Sequence, residues 1–223
     1  MADMANSLAD PALGALLDRL FADAENDEAV ITRLIEHERA ATKPITSLER
    51  TALMETAYLP VEPESGRLLY SLVRASRPAT VIEFGTSFGI STIYLAAAVR
   101  DNGGGHVITT ELSSSKARQA RANLAEAGLA DLVDVREGDA LDTLADVPGP
   151  VGFVLLDGWK DLYLPLLRIL EPKMPSGALV FADDTGRFRD QLADYLAHVR
   201  EPANGYVGVQ FPVGDGGELS LRA

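Results

Sequence analysis

The chain predicts an α/β fold: a Rossmann-like, doubly wound, mostly parallel seven-stranded sheet with an antiparallel C-terminal hairpin and an N-terminal helical extension. From residue 79 onward, short apolar runs alternate with segments of helical period, as in a parallel sheet covered by crossover helices. The last apolar runs flank Gly214-Asp215-Gly216-Gly217, a hairpin pattern. Residues 1–76 show helical spacing and no clear strand. The expected organisation is a single domain over 1–223, with 1–76 as a helical extension or cap and 77–223 as the α/β core.

The elements follow in order. Asp10-Pro11 opens a first helix with Leu13, Leu16, Leu17, Leu20 and Phe21 on one face. A second runs over about residues 27–41, with Val30, Ile31, Leu34 and Ile35 as its stripe. Lys43-Pro44 ends it, and Thr46 or Ser47 followed by Glu49 or Arg50 reads as a new helix start. Pro60 and Pro63 bracket an extended piece before a helix to Ser76. Strands are predicted at 80–84, 106–110, 132–136, 151–156 and 178–182. Helices between and after them fall at 90–100, 113–127, 160–170 and 188–199. Gly128 suits the end of the 113–127 helix as a left-handed cap.

Composition narrows the function classes. The 223 residues suffice for a real core, and 47% hydrophobic with 24% charged residues is ordinary for a globular protein. No apolar run nears the ~20 residues of a membrane helix. Met1-Ala-Asp-Met-Ala-Asn lacks the order of a secretory signal, so a cytoplasmic location is expected. With no cysteine, disulfides, thiolate metal sites and cysteine nucleophiles are excluded. A formal charge of −13 argues against a nucleic-acid partner. Lys116, Arg118 and Arg121 alternate with alanines and read as a solvated helix face.

The chemistry is concentrated at strand ends. Val151-Gly-Phe-Val-Leu-Leu156 runs into Asp157-Gly158-Trp159-Lys160-Asp161, and Gly177-Ala-Leu-Val-Phe-Ala182 runs into Asp183-Asp184. If these strands are neighbours, three hard oxygen donors and one amine meet, a set suited to a divalent ion with a base. The first strand ends in Glu83-Phe-Gly85-Thr86-Ser87-Phe88-Gly89, which lacks the Gly-x-Gly-x-x-Gly needed under a pyrophosphate. A dinucleotide enzyme is thereby demoted. Glu111, twenty-six positions beyond Gly85, ends the second strand, where a carboxylate can accept both hydroxyls of a ribose. Glu83 can meet a ligand cation such as an amino group. Gly138-Asp139-Ala140 after the third strand suits a flat base. His37, His106 and His198 fit no metal spacing, and Tyr163 and Tyr206 read as packing.

These motifs resemble the metal-dependent class I O-methyltransferases that use S-adenosylmethionine, the group that includes catechol and caffeoyl-CoA O-methyltransferases. The resemblance covers roughly residues 46–221. It implies that Val61, Glu83, Gly85, Thr86, Ser91, Glu111, Asp139, Ala140 and Asp157 bind S-adenosylmethionine. It further implies that Asp157, Asp183 and Asp184 hold Mg²⁺ and that Lys160 is the catalytic base. The family usually carries Asp-Asn where this chain has Asp183-Asp184; the third carboxylate can shift preference toward Ca²⁺ or Mn²⁺. The expected reaction is methyl transfer to a hydroxyl of a small molecule with vicinal hydroxyls, first a catechol or other phenolic natural product, then a sugar diol. Methylation of a hydroxylated tRNA base, or a non-catalytic S-adenosylmethionine-binding regulator, are the alternatives. The resemblance also implies that the N-terminal helices cover the acceptor or form the interface of a homodimer.

Overall fold

The computed structural model describes residues 6–223; the reading of the N-terminus as lacking a secretory pattern rests on residues 1–5, outside the described residues. The N-terminal part holds helices α1 (Pro11–Ala24), α2 (Asp27–Ala40), α3 (Ser47–Leu53) and α4 (Pro63–Ser76). Then follow β1 (Thr80–Phe84), α5 (Ile90–Asn102), β2 (His106–Glu111), α6 (Ser114–Glu126), β3 (Val133–Glu137) and α7 (Ala140–Thr143). The chain closes with β4 (Val151–Leu156), α8 (Tyr163–Leu170), β5 (Leu179–Ala182), α9 (Ala193–Arg200), β6 (Tyr206–Phe211) and β7 (Gly217–Arg222). Among the described residues the seven strands form one sheet in the order β3-β2-β1-β4-β5-β7-β6. The first five are parallel, and β7 and β6 run antiparallel.

Apolar residues on both faces of the central strands explain this layering. Every residue of β1 is buried, so each face is covered by helices. Val81, Val107, Phe153 and Phe181 pack with Leu69, Val73, Ile93 and Val99 of α4 and α5 on one face. Ile82, Val154, Leu156 and Val180 pack with Leu166, Leu167, Leu196 and Val199 of α8 and α9 on the other.

The local signals behave as their chemistry demands. Asp10 caps α1 through its side chain, with Pro11 in the first turn. Thr46 and Glu49 form the reciprocal capping box at the start of α3. Most boundaries fall within about two residues of expectation, and two helix starts differ by more. The segment from Lys160 begins as a short 3₁₀ turn before α8. The last helix starts at Ala193 rather than 188, because 184–192 is spent in tight turns, with Phe188 N–H donating to the Asp184 carbonyl at 2.9 Å.

α1 lies on the sheet's helical layer, burying Leu13, Leu16, Leu17 and Leu20 in the core shared with α4 and α5. α2 and α3 instead make a small separate cluster, Val30, Leu34, Met54 and Ala57, against which Ile31, Ile45 and Trp159 pack. Asp27 at the start of α2 accepts the backbone N–H groups of Tyr58 and Leu59 at 2.8 and 2.7 Å, fixing the segment that follows α3.

The sheet order reverses between β1 and β4, the place where open α/β sheets form a crevice at their carboxyl ends. Register brings the crevice walls level: Phe84 pairs with Thr110 on one side and Leu156 on the other. Asp157 N–H then donates to the Phe84 carbonyl at 2.9 Å, and Asp183 N–H to the Leu156 carbonyl at 3.0 Å. Gly85 sits at φ +108°, and a Cβ there would lie 2.5 Å from the Asp157 carbonyl oxygen. Only glycine permits that approach. Gly85→Ala should lower stability by about 1–3 kcal/mol through backbone strain alone. Urea denaturation measures this, and an unchanged midpoint would contradict the close packing of the two strand ends.

Candidate active site

A cavity of about 510 Å³ opens at these strand ends, within the ~300–1,000 Å³ range of small-molecule sites. Gly85, Glu111, Asp157, Lys160, Asp183 and Asp184 all line it, so residues spread over a hundred positions meet in one place. Ile31 and Leu34 of α2 and Arg50, Thr51 and Met54 of the α3 segment line it from the N-terminal part. Trp159 joins the two halves: its indole N–H donates to Thr51 Oγ1 at 3.1 Å, and the Arg50 guanidinium stacks over its ring at 5.1 Å.

At the β2 end, Glu111 Oε2 accepts Ser87 N–H and Oε1 accepts Ser113 N–H, each at 2.8 Å. A carboxylate offers about four lone-pair positions, so acceptor capacity remains for hydroxyl donors on a ligand. The backbone bonds meanwhile lock its orientation. Glu83 lies behind the cavity wall and is fully buried. Its Oε2 accepts Thr92 and Thr109 hydroxyls at 2.5 and 2.6 Å, while Oε1 has no partner. Burial pushes the Glu83 carboxyl up from its usual 4.5; the Thr109, Thr92 and Ser91 hydroxyls oppose this, and the Glu111 charge adds to it. An orphaned buried carboxylate oxygen is the kind of atom a ligand ammonium satisfies.

The other residues expected to bind a cofactor stand off the cavity wall. Thr86 is buried, its hydroxyl 2.5 Å from that of Thr109, and Ser91 supports Glu83. Val61 and Ala140 are buried in the two core layers. Asp139 is exposed and caps α7, accepting Leu141 N–H at 2.9 Å.

At the β4 and β5 ends, Lys160 Nζ lies 2.7 Å from Asp184 and 3.9 Å from Asp157, and donates to the Tyr163 hydroxyl at 2.7 Å. That hydroxyl donates to the Asp183 carbonyl at 3.3 Å, so Tyr163 supports the site as well as packing. Asp183 Oδ1 accepts Asp184 N–H at 2.9 Å, and Asp184 adopts φ +64°. That left-handed conformation is tolerated by Asp and Asn far better than by most residues. Burial first, then the charge of Asp183, pushes the Asp157 carboxyl well above its usual range, with Lys160 opposing. Asp183 is pushed up to about 6 by burial and by Asp184. Among the described residues no three carboxylates or histidines stand in ion-holding geometry; the Lys160 ammonium is the counter-charge. The donor set nevertheless fits a hard divalent cation, since every donor is an oxygen and the crowded carboxylates lack enough positive charge.

Lys116 corrects the sequence reading. It is 5% exposed, not on a solvated face; Nζ donates to Ser87 Oγ at 3.3 Å and lies over the Phe88 ring. The signal was phase: Lys116 shares the buried stripe of α6 with Ala120, Asn123 and Leu124. Arg50, Thr51 and Ser87 were likewise not foreseen as cavity residues, because only the fold brings α3 over the strand ends.

Comparisons with known proteins agree with this geometry. The family profile described as a methyltransferase domain matches residues 82–185. A catechol O-methyltransferase of Mycobacterium tuberculosis is 35% identical over 147 residues, 64% of this chain and 66% of that protein. One from Niastella koreensis is 33% identical over 135 residues, 57% of this chain and 58% of that protein. The chain thus spans less than two thirds of the length of these curated relatives. Among solved structures, the O-methyltransferase TomG of Streptomyces achromogenes, in complex with SAM, is 26% identical with a TM-score of 0.65, over 89% of this chain and 99% of that one. The Bacillus cereus O-methyltransferase shares the fold at a TM-score of 0.67 and 23% identity, over 92% of this chain and 100% of that one. The chain thus carries a methyltransferase-domain match over 82–185 and is similar to S-adenosylmethionine-dependent O-methyltransferases. No helix among the described residues is long and apolar enough to cross a membrane.

The raised carboxyl of Glu83 has a definite sign in stability. An acid whose folded value exceeds its unfolded value stabilises the fold while protonated, and that contribution is lost as pH rises past about 4.5 and through the folded value. Glu83→Gln should therefore gain stability relative to the parent protein over the range of pH rising from about 4.5. Thermal melts across that range test this; the opposite trend would show that the fold favours the ionised carboxylate.

Proposed function

We propose that this protein transfers a methyl group from S-adenosylmethionine to one hydroxyl of a small molecule with vicinal hydroxyls, aided by a divalent ion such as Mg²⁺. One observation carries the reading: a single cavity joins Gly85 and Glu111 to the Asp157, Asp183, Asp184 and Lys160 cluster. A donor-binding end and an acidic, base-bearing end within one small cavity suit methyl transfer. They have no evident use in a structural protein.

On the donor side, Glu111 accepts the ribose hydroxyls, and the unpartnered Glu83 oxygen supplies negative charge for the amino group. Gly85 lets the ligand lie close to the backbone. On the acceptor side, Asp157, Asp183 and Asp184 hold the divalent ion. When bound, that ion supplies charge that lowers the acceptor hydroxyl's pKa and a template for two adjacent oxygens. Lys160, in its neutral amine form, would take the hydroxyl proton. The O–C bond forms as the S–C bond breaks, and the proton remains on Lys160. Holding the reacting atoms at ~3–3.5 Å accounts for about 7–11 kcal/mol of the barrier. The α2–α3 segment lines the cavity with Ile31, Leu34 and Met54, which share its wall with Trp159 and Phe188. That apolar wall favours a phenolic ring over a sugar diol. It also narrows the access that a tRNA base would require, and the overall negative charge opposes such a partner.

A methyl-transfer screen over catechols, flavonoids and sugar diols, with Mg²⁺ or EDTA, tests the proposal. Catechols should be methylated only with the metal, and Asp157→Asn should lose that activity by more than the ~10–100-fold that loss of an outer-shell partner costs a metal site. Donor binding without transfer to any diol would point instead to a binding protein. Glu111→Ala should weaken S-adenosylmethionine binding by about 1.5–3 kcal/mol, the scale of hydrogen bonds to a charged group. Calorimetry showing unchanged affinity would place the ribose contact elsewhere.

A further inference from the structure

Asp184 stands where the resembling family usually has Asn, and it is the carboxylate that holds Lys160. The ammonium is 2.7 Å from Asp184 and 3.9 Å from Asp157, with the Lys160 side chain 11% exposed. We propose that Lys160 is the resident cation of this cluster in the metal-free protein, and that a divalent ion and Lys160 compete for Asp184. Metal loading and release of the base are then one event. The proposal rests on the divalent-site reading above and goes beyond it.

Three features carry the competition. First, the Lys160 ammonium already stands at hydrogen-bond distance on the Asp184 carboxylate that a divalent ion would need. Second, Asp184 is held by its surroundings: Asp183 N–H bonds the Leu156 carbonyl, Thr185 N–H bonds the Gly216 carbonyl, and Asp184 N–H bonds the Asp183 side chain. Lys160, on a flexible four-carbon stem, is the partner able to move. Third, it has somewhere to rest when displaced, since its bond to the Tyr163 hydroxyl at 2.7 Å and its position over the Tyr163 and Phe188 rings do not involve Asp184. A neutral Asn at this position could not hold the ammonium by charge. The device therefore belongs to chains with Asp here, and it withholds the base until the ion that activates the acceptor is in place.

The test is a double-mutant cycle on Mn²⁺ binding to the full-length, metal-free protein, read by electron paramagnetic resonance without donor or acceptor. Lys160→Met should tighten Mn²⁺ binding at least about tenfold in the parent protein, but less than about threefold in the Asp184→Asn background. Equal factors in both backgrounds would mean that Lys160 acts only as a through-space charge, and no tightening would mean that it does not compete; either overturns the proposal. Asp157→Ala separates the two levels. If it binds Mn²⁺ as the parent does, or if the parent binds none, the divalent-site reading fails and this proposal with it. If Asp157→Ala loses Mn²⁺ while the cycle shows no coupling, only the competition fails. Lys160→Gln, checked for folding by circular dichroism, runs the same cycle should the Met variant not fold.

Discussion

Crowding of negative charge at the ends of β4 and β5 is the constraint on which this molecule turns. Adjacent parallel strands in register must place Asp157 and Asp183 side by side, because Asp183 N–H bonds the carbonyl of Leu156. Burial then penalises both charges at once. Such an arrangement persists only with cationic company, and Lys160 provides it. Under the proposed function, the same arrangement prepares the cavity for a hard ion and for an acceptor that must lose a proton.

The helical N-terminal part serves that cluster from a distance. α1 and α4 belong to the core, whereas α2 and α3 form their own small apolar cluster that reaches the sheet through Trp159. The ties between this roof and the strand ends are polar and specific: Trp159 to Thr51, Ser87 to the Tyr58 carbonyl at 2.6 Å, and Asp27 to the backbone of 58–59. The packing of Trp159 on that cluster and the stacking of Tyr58 on Phe88 at 3.9 Å add apolar ties to these bonds.

Two acids on neighbouring strands illustrate how position decides role. Glu83 and Glu111 are both strand carboxylates near the same loop. Glu111 ends its strand, meets two backbone N–H groups and faces the cavity. Glu83 lies two residues before Gly85, is enclosed by Thr92 and Thr109, and keeps one oxygen unsatisfied. One is a preorganised acceptor; the other is a buried charge in want of a donor.

The sequence by itself determined the order of the main elements, the parallel core with its terminal hairpin, the helix starts at Asp10 and at Thr46 or Ser47, and the strand-end acids. Each of these is written in local spacing or in residue chemistry: alternation of periods, a glycine where the chain turns, an acid after an apolar run. The tertiary structure alone decided which of those residues share a cavity. It brought Gly85, Glu111, Asp157, Lys160, Asp183 and Asp184 together, left Val61, Thr86, Ser91, Asp139 and Ala140 off the wall, and moved the start of the last helix to Ala193. It also buried Lys116 and set Arg50 on Trp159. The reason is physical: these outcomes depend on strand register and on one helix lying over distant strand ends, contacts that no local period encodes.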